Sequence, residues 1–342
     1  MDPRKSPTQT SRRPCRINSY TTNSNRQNDQ GADVVAGYDG TIACGKVSTV
    51  IDGGTFTYAG NGSQLRGGAS IQSNSTLTIN GGVFNHYVYA GGFSAGGDAR
   101  VDGNTSLQIN GGTFNAHVFG GCGANNSFNG KFTMVYGDSE VVVNATDATI
   151  TFNGNIYAGS MGYGHVNGGT SLTFTGDGSK LLFSANSYVS GNSQMFKGST
   201  LYVDGNQSLV FDNFTGNFSA NINNTFTRLV ASGSQVAFTG GRVALDSIAT
   251  WEIEVGSADA ELTLGDANNN FADDTLELTL AVNVAPTTDG WDVIKGTAID
   301  GWDAFSAVTL CGESAAFTDG EWTTNAYRLF RDGDTLKLAA LA

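Results

Sequence analysis

Charged side chains are scarce in this chain, making up 14% of 342 residues, and proline and histidine are scarcer still, at 4 and 3. Four cysteines, Cys15, Cys44, Cys122 and Cys311, lie far apart with no CxxC pair and no histidine at ligand spacing. That excludes a zinc site and a disulfide framework as organising elements. No hydrophobic run reaches the length of a membrane-spanning helix. Basic residues near the N-terminus are not followed by the apolar stretch of a signal peptide. The chain therefore reads either as cytoplasmic or as lacking an upstream signal. There is no GxSxG elbow and no phosphate loop ending in Gly-Lys-Ser or Gly-Lys-Thr.

What is present is glycine, 47 residues of it, with abundant Asn, Ser and Thr. Such a composition borders on disorder, but 39% apolar residues including 20 Phe give enough side-chain volume for a continuous core. The net charge of −13 is unevenly spread: residues 1–30 hold six of the 18 basic and two of the 31 acidic residues. The rest is strongly acidic, which argues against nucleic acid or an anionic lipid surface as the main partner. Residues 1–35 lack apolar periodicity and read as a disordered polar and basic tail.

After the tail the chain repeats. Leu77–Gly92 reads LTINGGVFNHYVYAGG and Leu107–Gly121 reads LQINGGTFNAHVFGG, offset by 30. Ile51–Gly60 (IDGGTFTYAG) is an earlier partial copy and Ile150–Gly159 (ITFNGNIYAG) a shortened later one. A second phrase recurs at Val101–Ile109, Val166–Phe174 and Val203–Phe211. Each copy alternates apolar and polar residues over three to five positions and then breaks at a Gly-containing turn, the pattern of short half-buried strands. Stacked coils would place Leu77, Ile79, Phe84 and Val88 in columns with Leu107, Ile109, Phe114 and Val118. Asn80, Asn110 and Asn153, each before a Gly, would form an amide ladder at one corner. The expected fold is thus all-β, a parallel β-helix or β-solenoid over residues 36–285. Residues 286–342 are expected to be an aromatic-rich β cap or small docking domain, with Trp291, Trp302, Trp322, Phe330 and Thr335–Leu338 closing the last coil.

The repeated LTINGGVFNHYVYAGG and LQINGGTFNAHVFGG phrases resemble the passenger regions of bacterial autotransporter-type and adhesin-like surface proteins, over about residues 45–285. That resemblance implies a right-handed helix, a cell-surface or secreted location, and contact with a host or cell-surface glycan or protein. The membrane β-barrel that such proteins use for export has no counterpart here, so no membrane insertion by this chain is expected.

Chemistry is thin. Glycoside hydrolysis needs two facing carboxylates, and β-helical lyases commonly need calcium-binding acids beside an Arg or Lys base. The candidates are Asp98, Arg100 and Asp102 in one cluster and Asp138 and Glu140 in another, all readable as solvated loop charges. Asp266, Asn268 and Asn270 resemble half a calcium loop, but Phe271 replaces its Gly and the closing Glu is missing. The three His residues, His86, His117 and His165, do not align in one column. Tyr87, Tyr89 and Phe119 alternate with presumed core positions and are the candidates for an outward row that stacks on sugars, although packing beneath the long loops is the favoured reading. No cofactor or metal is implied. The expectation is a noncatalytic, adhesin-like protein; a β-helical polysaccharide lyase or hydrolase and a structural spacer are the alternatives.

Overall fold

The computed structural model describes residues 47–56, 70–71, 73–91, 93–94, 99–124, 133–160, 164–192, 203, 205–223, 225–243, 248–256, 259, 261–265, 276–296 and 305–342. The expected tail, Asp98, Asp266, Asn268, Asn270 and Trp302 lie outside them. The described chain is all-β with long parallel sheets and a single 3-10 turn, Gly178–Lys180.

The repeated phrases explain the path. Ser75–Ile79 is followed by Val83–Phe84, Val88–Tyr89, Phe93–Ser94 and Ala99–Val101, each in a different sheet, and Thr105–Ile109 then returns beside Ser75–Ile79. A first sheet stacks Val47–Ile51, Ser75–Ile79, Thr105–Ile109, Ser139–Ala145, Thr170–Asp177 and Gln207–Phe218 in parallel. It continues through Arg228–Ser232, Thr250–Val255, Glu277–Val282 and Ala307–Leu310. A second sheet runs from Thr55–Phe56 to Leu181–Phe183, a third from Val88–Tyr89 to Asn221–Ile222, and a fourth from Ser70–Ile71 to Gly164–Val166.

Alternation along the first sheet turns Leu77, Leu107, Val141, Leu172, Leu209, Leu229 and Trp251 inward in one register column. All seven are fully buried. In the second sheet Phe56, Phe84, Phe114, Phe152 and Phe183 form a column of near-parallel rings, with centroids 4.8, 4.9, 5.1 and 5.5 Å apart. One strand cannot bury such side chains, so each coil is stabilised by its neighbours.

The second phrase has more copies than its spelling shows. Ile71, Val101, Val135, Val166 and Val203 share one register. Val135–Val143 (VYGDSEVVV) and Ile71–Ile79 (IQSNSTLTI) are therefore copies of it. The Asn ladder divides in two. Asn110 donates to Asn80 at 2.8 Å and Asn144 to Asn110 at 3.3 Å. Asn153 belongs to a second ladder, donating to Asn115 at 2.7 Å as Asn115 does to Asn85 at 2.6 Å. The reason is register: Ile150–Phe152 pairs with Gly112–Phe114 in the second sheet, so its Asn-Gly is not the Asn80 corner.

Coil length changes along the stack. Bonded partners in adjacent coils are 28, 30 and 34 residues apart at Asp52–Asn80, Asn80–Asn110 and Asn110–Asn144, but 20 at Gln207–Thr227 and 22 at Ser232–Glu254. The change begins at the long strand Gln207–Phe218, bent at Asn213 (φ 51°) and Gly216 (φ 121°). It pairs with Arg228–Ser232 in its first half and Gln235–Phe238 in its second, so one long strand faces two successive shorter ones of the first sheet. After Ala307–Leu310 the pairing becomes antiparallel through Glu313–Ser314, Ala316–Thr318, Glu321–Thr323, Tyr327–Asp332 and Thr335–Ala340. The last of these lies against Trp291–Lys295. Trp322 is buried there, and Trp291 and Phe330 half-buried.

Candidate functional site

The corner leading into the first sheet is built by one recurring device. Asn74 Oδ1 accepts the Asn104 N–H at 3.0 Å, Asn104 Oδ1 accepts the Asp138 N–H at 3.0 Å, and Asp138 Oδ1 accepts the Gly169 N–H at 2.9 Å. Each carbonyl or carboxylate oxygen thus satisfies a corner amide of the next coil that the sheet ladder leaves unpaired. The residue before each acceptor's partner must be Gly. A Cβ at Gly103, Gly137 or Gly168 would stand about 2 Å from the side-chain oxygen of Asn74, Asn104 or Asp138. In the sequence this device is the x-Gly-Asn/Asp/Gly triplet before the strands that start at Thr105, Ser139 and Thr170.

Beside that corner runs a groove of about 560 Å³. One edge is the corner column of Asn74, Asn104, Asp138 and Asn206, interrupted at Gly169, where an added Cβ would meet the Asn206 carbonyl oxygen at 2.9 Å. Its other edge is an outward row of the first sheet, Thr76, Ser106, Glu140, Ser171 and Ser208, in register across five parallel strands. Neighbouring members are about 4.8 Å apart, the spacing of hydrogen-bonded strands. Among the described residues no Arg or Lys lines the groove.

Asp138 and Glu140, expected as loop charges, thus share a groove; Glu140 lies on the strand Ser139–Ala145. Aligning VYGD with VDGN in the sequence would have put Asp138 in the Asn104 column. The other cluster stands apart. Arg100 on Ala99–Val101 pairs with Asp102 and lies over the Tyr136 ring at 4.7 Å, and neither Arg100 nor Asp102 lines the groove. No group of three His, Cys, Asp or Glu able to hold a metal occurs among the described residues. No family model, no curated protein and no solved structure matches the chain.

Burial decides between the two readings of the aromatic row. Tyr89 and Phe119 are fully buried and cannot stack on a sugar. They form a ring stack with Tyr157, with centroids 5.1 and 4.9 Å apart, and the strand Gly123–Ala124 passes so close to Tyr89 that a Cβ at Gly123 would overlap its ring. The strands Val88–Tyr89, Val118–Phe119 and Ile156–Tyr157 are covered on both faces, a fact that alternation cannot reveal. Tyr87 is half-buried and stacks on His117 at 5.3 Å. His117 Nδ1 accepts the Asn155 N–H at 3.0 Å, and burial holds this imidazole below its ordinary pKa.

Proposed function

We propose that the chain is a right-handed parallel β-solenoid closed by its C-terminal antiparallel strands, and that it serves as a noncatalytic, adhesin-like surface or secreted protein. Its ligand on this reading is a glycan chain lying along the stack in the first-sheet groove. One observation carries the reading: hydroxyl, amide and carboxylate groups recur in register across five coils. A ladder with a repeat of about 4.8 Å offers equivalent hydrogen bonds to a polymer that itself repeats, and the repeat is close to the length of one sugar in an extended chain. With two carboxylates and no cation among its described residues, the groove favours neutral or amine-bearing sugars over polyanions.

The test is a polysaccharide array on the purified chain, read for retention and for released reducing ends. Retention without release is expected, and Ser106→Trp, which fills the groove from a half-exposed position, abolishes it. Retention unaffected by Ser106→Trp overturns the groove as the site. The shared groove of Asp138 and Glu140 is the observation that favours a hydrolase as second reading; released ends that vanish in Glu140→Gln would establish it.

A further inference from the structure

The outer face of the third sheet carries a second column beside the buried ring stack. Tyr87, His117, Asn155, Tyr188, Asn221 and Arg242 hold one register in successive coils. Its later half opens into a groove of about 510 Å³, lined by Asn186, Tyr188, Asn221, Asn223 and Arg242 among others. Here the ring stack ends. Tyr188 stands at 90° to Tyr157, 5.6 Å away, and is half-buried where Tyr89, Phe119 and Tyr157 are closed off.

These side chains are held in place. The Tyr188 hydroxyl shares a 2.5 Å hydrogen bond with that of Tyr157, which also accepts from Asn155 Nδ2 at 3.1 Å. Asn221 Nδ2 donates to the Ala185 and Ser187 carbonyls at 3.1 Å each, and Asn221 Oδ1 accepts the Arg242 N–H at 2.9 Å. The Arg242 side chain is the exception. The guanidinium groups of Arg100, Arg228, Arg328 and Arg331 each reach a carboxylate or carbonyl. Among the described arginines only that of Arg242 meets none, and it is exposed.

We propose that Tyr188, Asn221 and Arg242 form a second binding site, for a sugar unit that bears a carboxylate. Two strand spacings separate Tyr188 from Arg242, about 10 Å, room for a pyranose ring on the tyrosine face with its carboxylate turned to the guanidinium. The planar fork of Arg242 suits a carboxylate in bidentate geometry, and the Asn186 amide and the second lone pair of Asn221 Oδ1 meet ring hydroxyls. In a chain of net charge −13 an unpaired cation in the same groove as an aromatic ring selects for an acidic ligand. This site lies on a different sheet from the first groove and stands independently of it.

The experiment titrates the full chain carrying Ser106→Trp, which blocks the first groove, calorimetrically with an oligouronate and with the same oligosaccharide after reduction of its carboxylates to alcohols. The oligouronate is expected to bind at least about tenfold more tightly. Arg242→Gln removes that difference, whereas Arg331→Gln, the same charge change on the C-terminal hairpin, preserves it. Tyr188→Ala weakens both ligands. Equal binding of the two oligosaccharides, absence of binding to either, or equal losses in Arg242→Gln and Arg331→Gln overturns the proposal. Retention of neutral polysaccharide in the first groove is a separate readout that none of these results alters.

Discussion

Replacing Phe114 with Ala tests whether the ring column of the second sheet stabilises the fold coil by coil. Phe114 is fully buried, its ring 4.9 Å from Phe84 on one side and 5.1 Å from Phe152 on the other. Removing a ring from such a site costs about 3–5 kcal/mol, because the space between two neighbours that remain in place cannot collapse. Phe56, half-buried and stacked at 4.8 Å on Phe84, provides the comparison. With less area buried and one ring contact in place of two, Phe56→Ala should cost about half as much, roughly 1.5–2.5 kcal/mol. Urea denaturation followed by circular dichroism gives both values. A Phe114–Phe152 cycle with Leu replacements should show a coupling of about 0.5–1.5 kcal/mol. Equal costs at Phe56 and Phe114, or no coupling between Phe114 and Phe152, would refute the nearest-neighbour account.

Gly112 has φ 117°, and an added Cβ would lie 3.0 Å from the Gly82 carbonyl, whereas Gly53 has open space. Gly112→Ala should therefore cost about 1–3 kcal/mol and Gly53→Ala less than about 0.5, checked by the same denaturation. Arg228 donates to both carboxylate oxygens of Glu252, at 2.7 and 2.6 Å, and these bonds hold Glu252 below the usual carboxylate range. Both side chains are about a third exposed, so screening limits the pair to well under about 1 kcal/mol. Wild type should melt slightly above Glu252→Gln at neutral pH, and the lead should vanish as acid takes the pH through the lowered value; a lead that persists when the carboxylate is protonated contradicts the ion pair. His117 acts with the opposite sense of charge. Its folded pKa lies below the unfolded value of about 6.5, so the unfolded chain takes up the proton first and stability falls as pH drops below that value. Melting curves of His117→Gln should lack that part of the slope.

The first-sheet and second-sheet columns were legible because a 30-residue offset aligns Leu77 with Leu107 and Phe84 with Phe114 without a gap. Legibility failed where a turn residue changed identity. Tyr136-Gly137-Asp138 hides the copy that Asp102-Gly103-Asn104 displays, so the corner column and the groove beside it went unseen. Ile150-Thr-Phe-Asn-Gly imitates the Ile-Asn-Gly corner while belonging to another sheet, which misplaced Asn153. Alternation gave the faces of Tyr87, Tyr89 and Phe119 correctly but not what covers them, since the Gly123 strand is brought there by tertiary stacking alone. Tyr188, Asn221 and Arg242 are 33 and 21 residues apart in the sequence, and only strand register unites them.

The direction of the backbone hydrogen bonds also has a mechanical meaning. On the proposed solenoid, strands run around the stack while their bonds point along it, so a pull applied at the two ends is expected to peel coils apart one at a time without shearing a whole sheet. Each coil that lets go frees some 30 residues, as between Asn80 and Asn110, or about 100 Å of extended chain. The shorter coils after Gln207 release correspondingly less. Under load such a molecule gives way in steps of unequal size, a tether that dissipates tension gradually before it breaks.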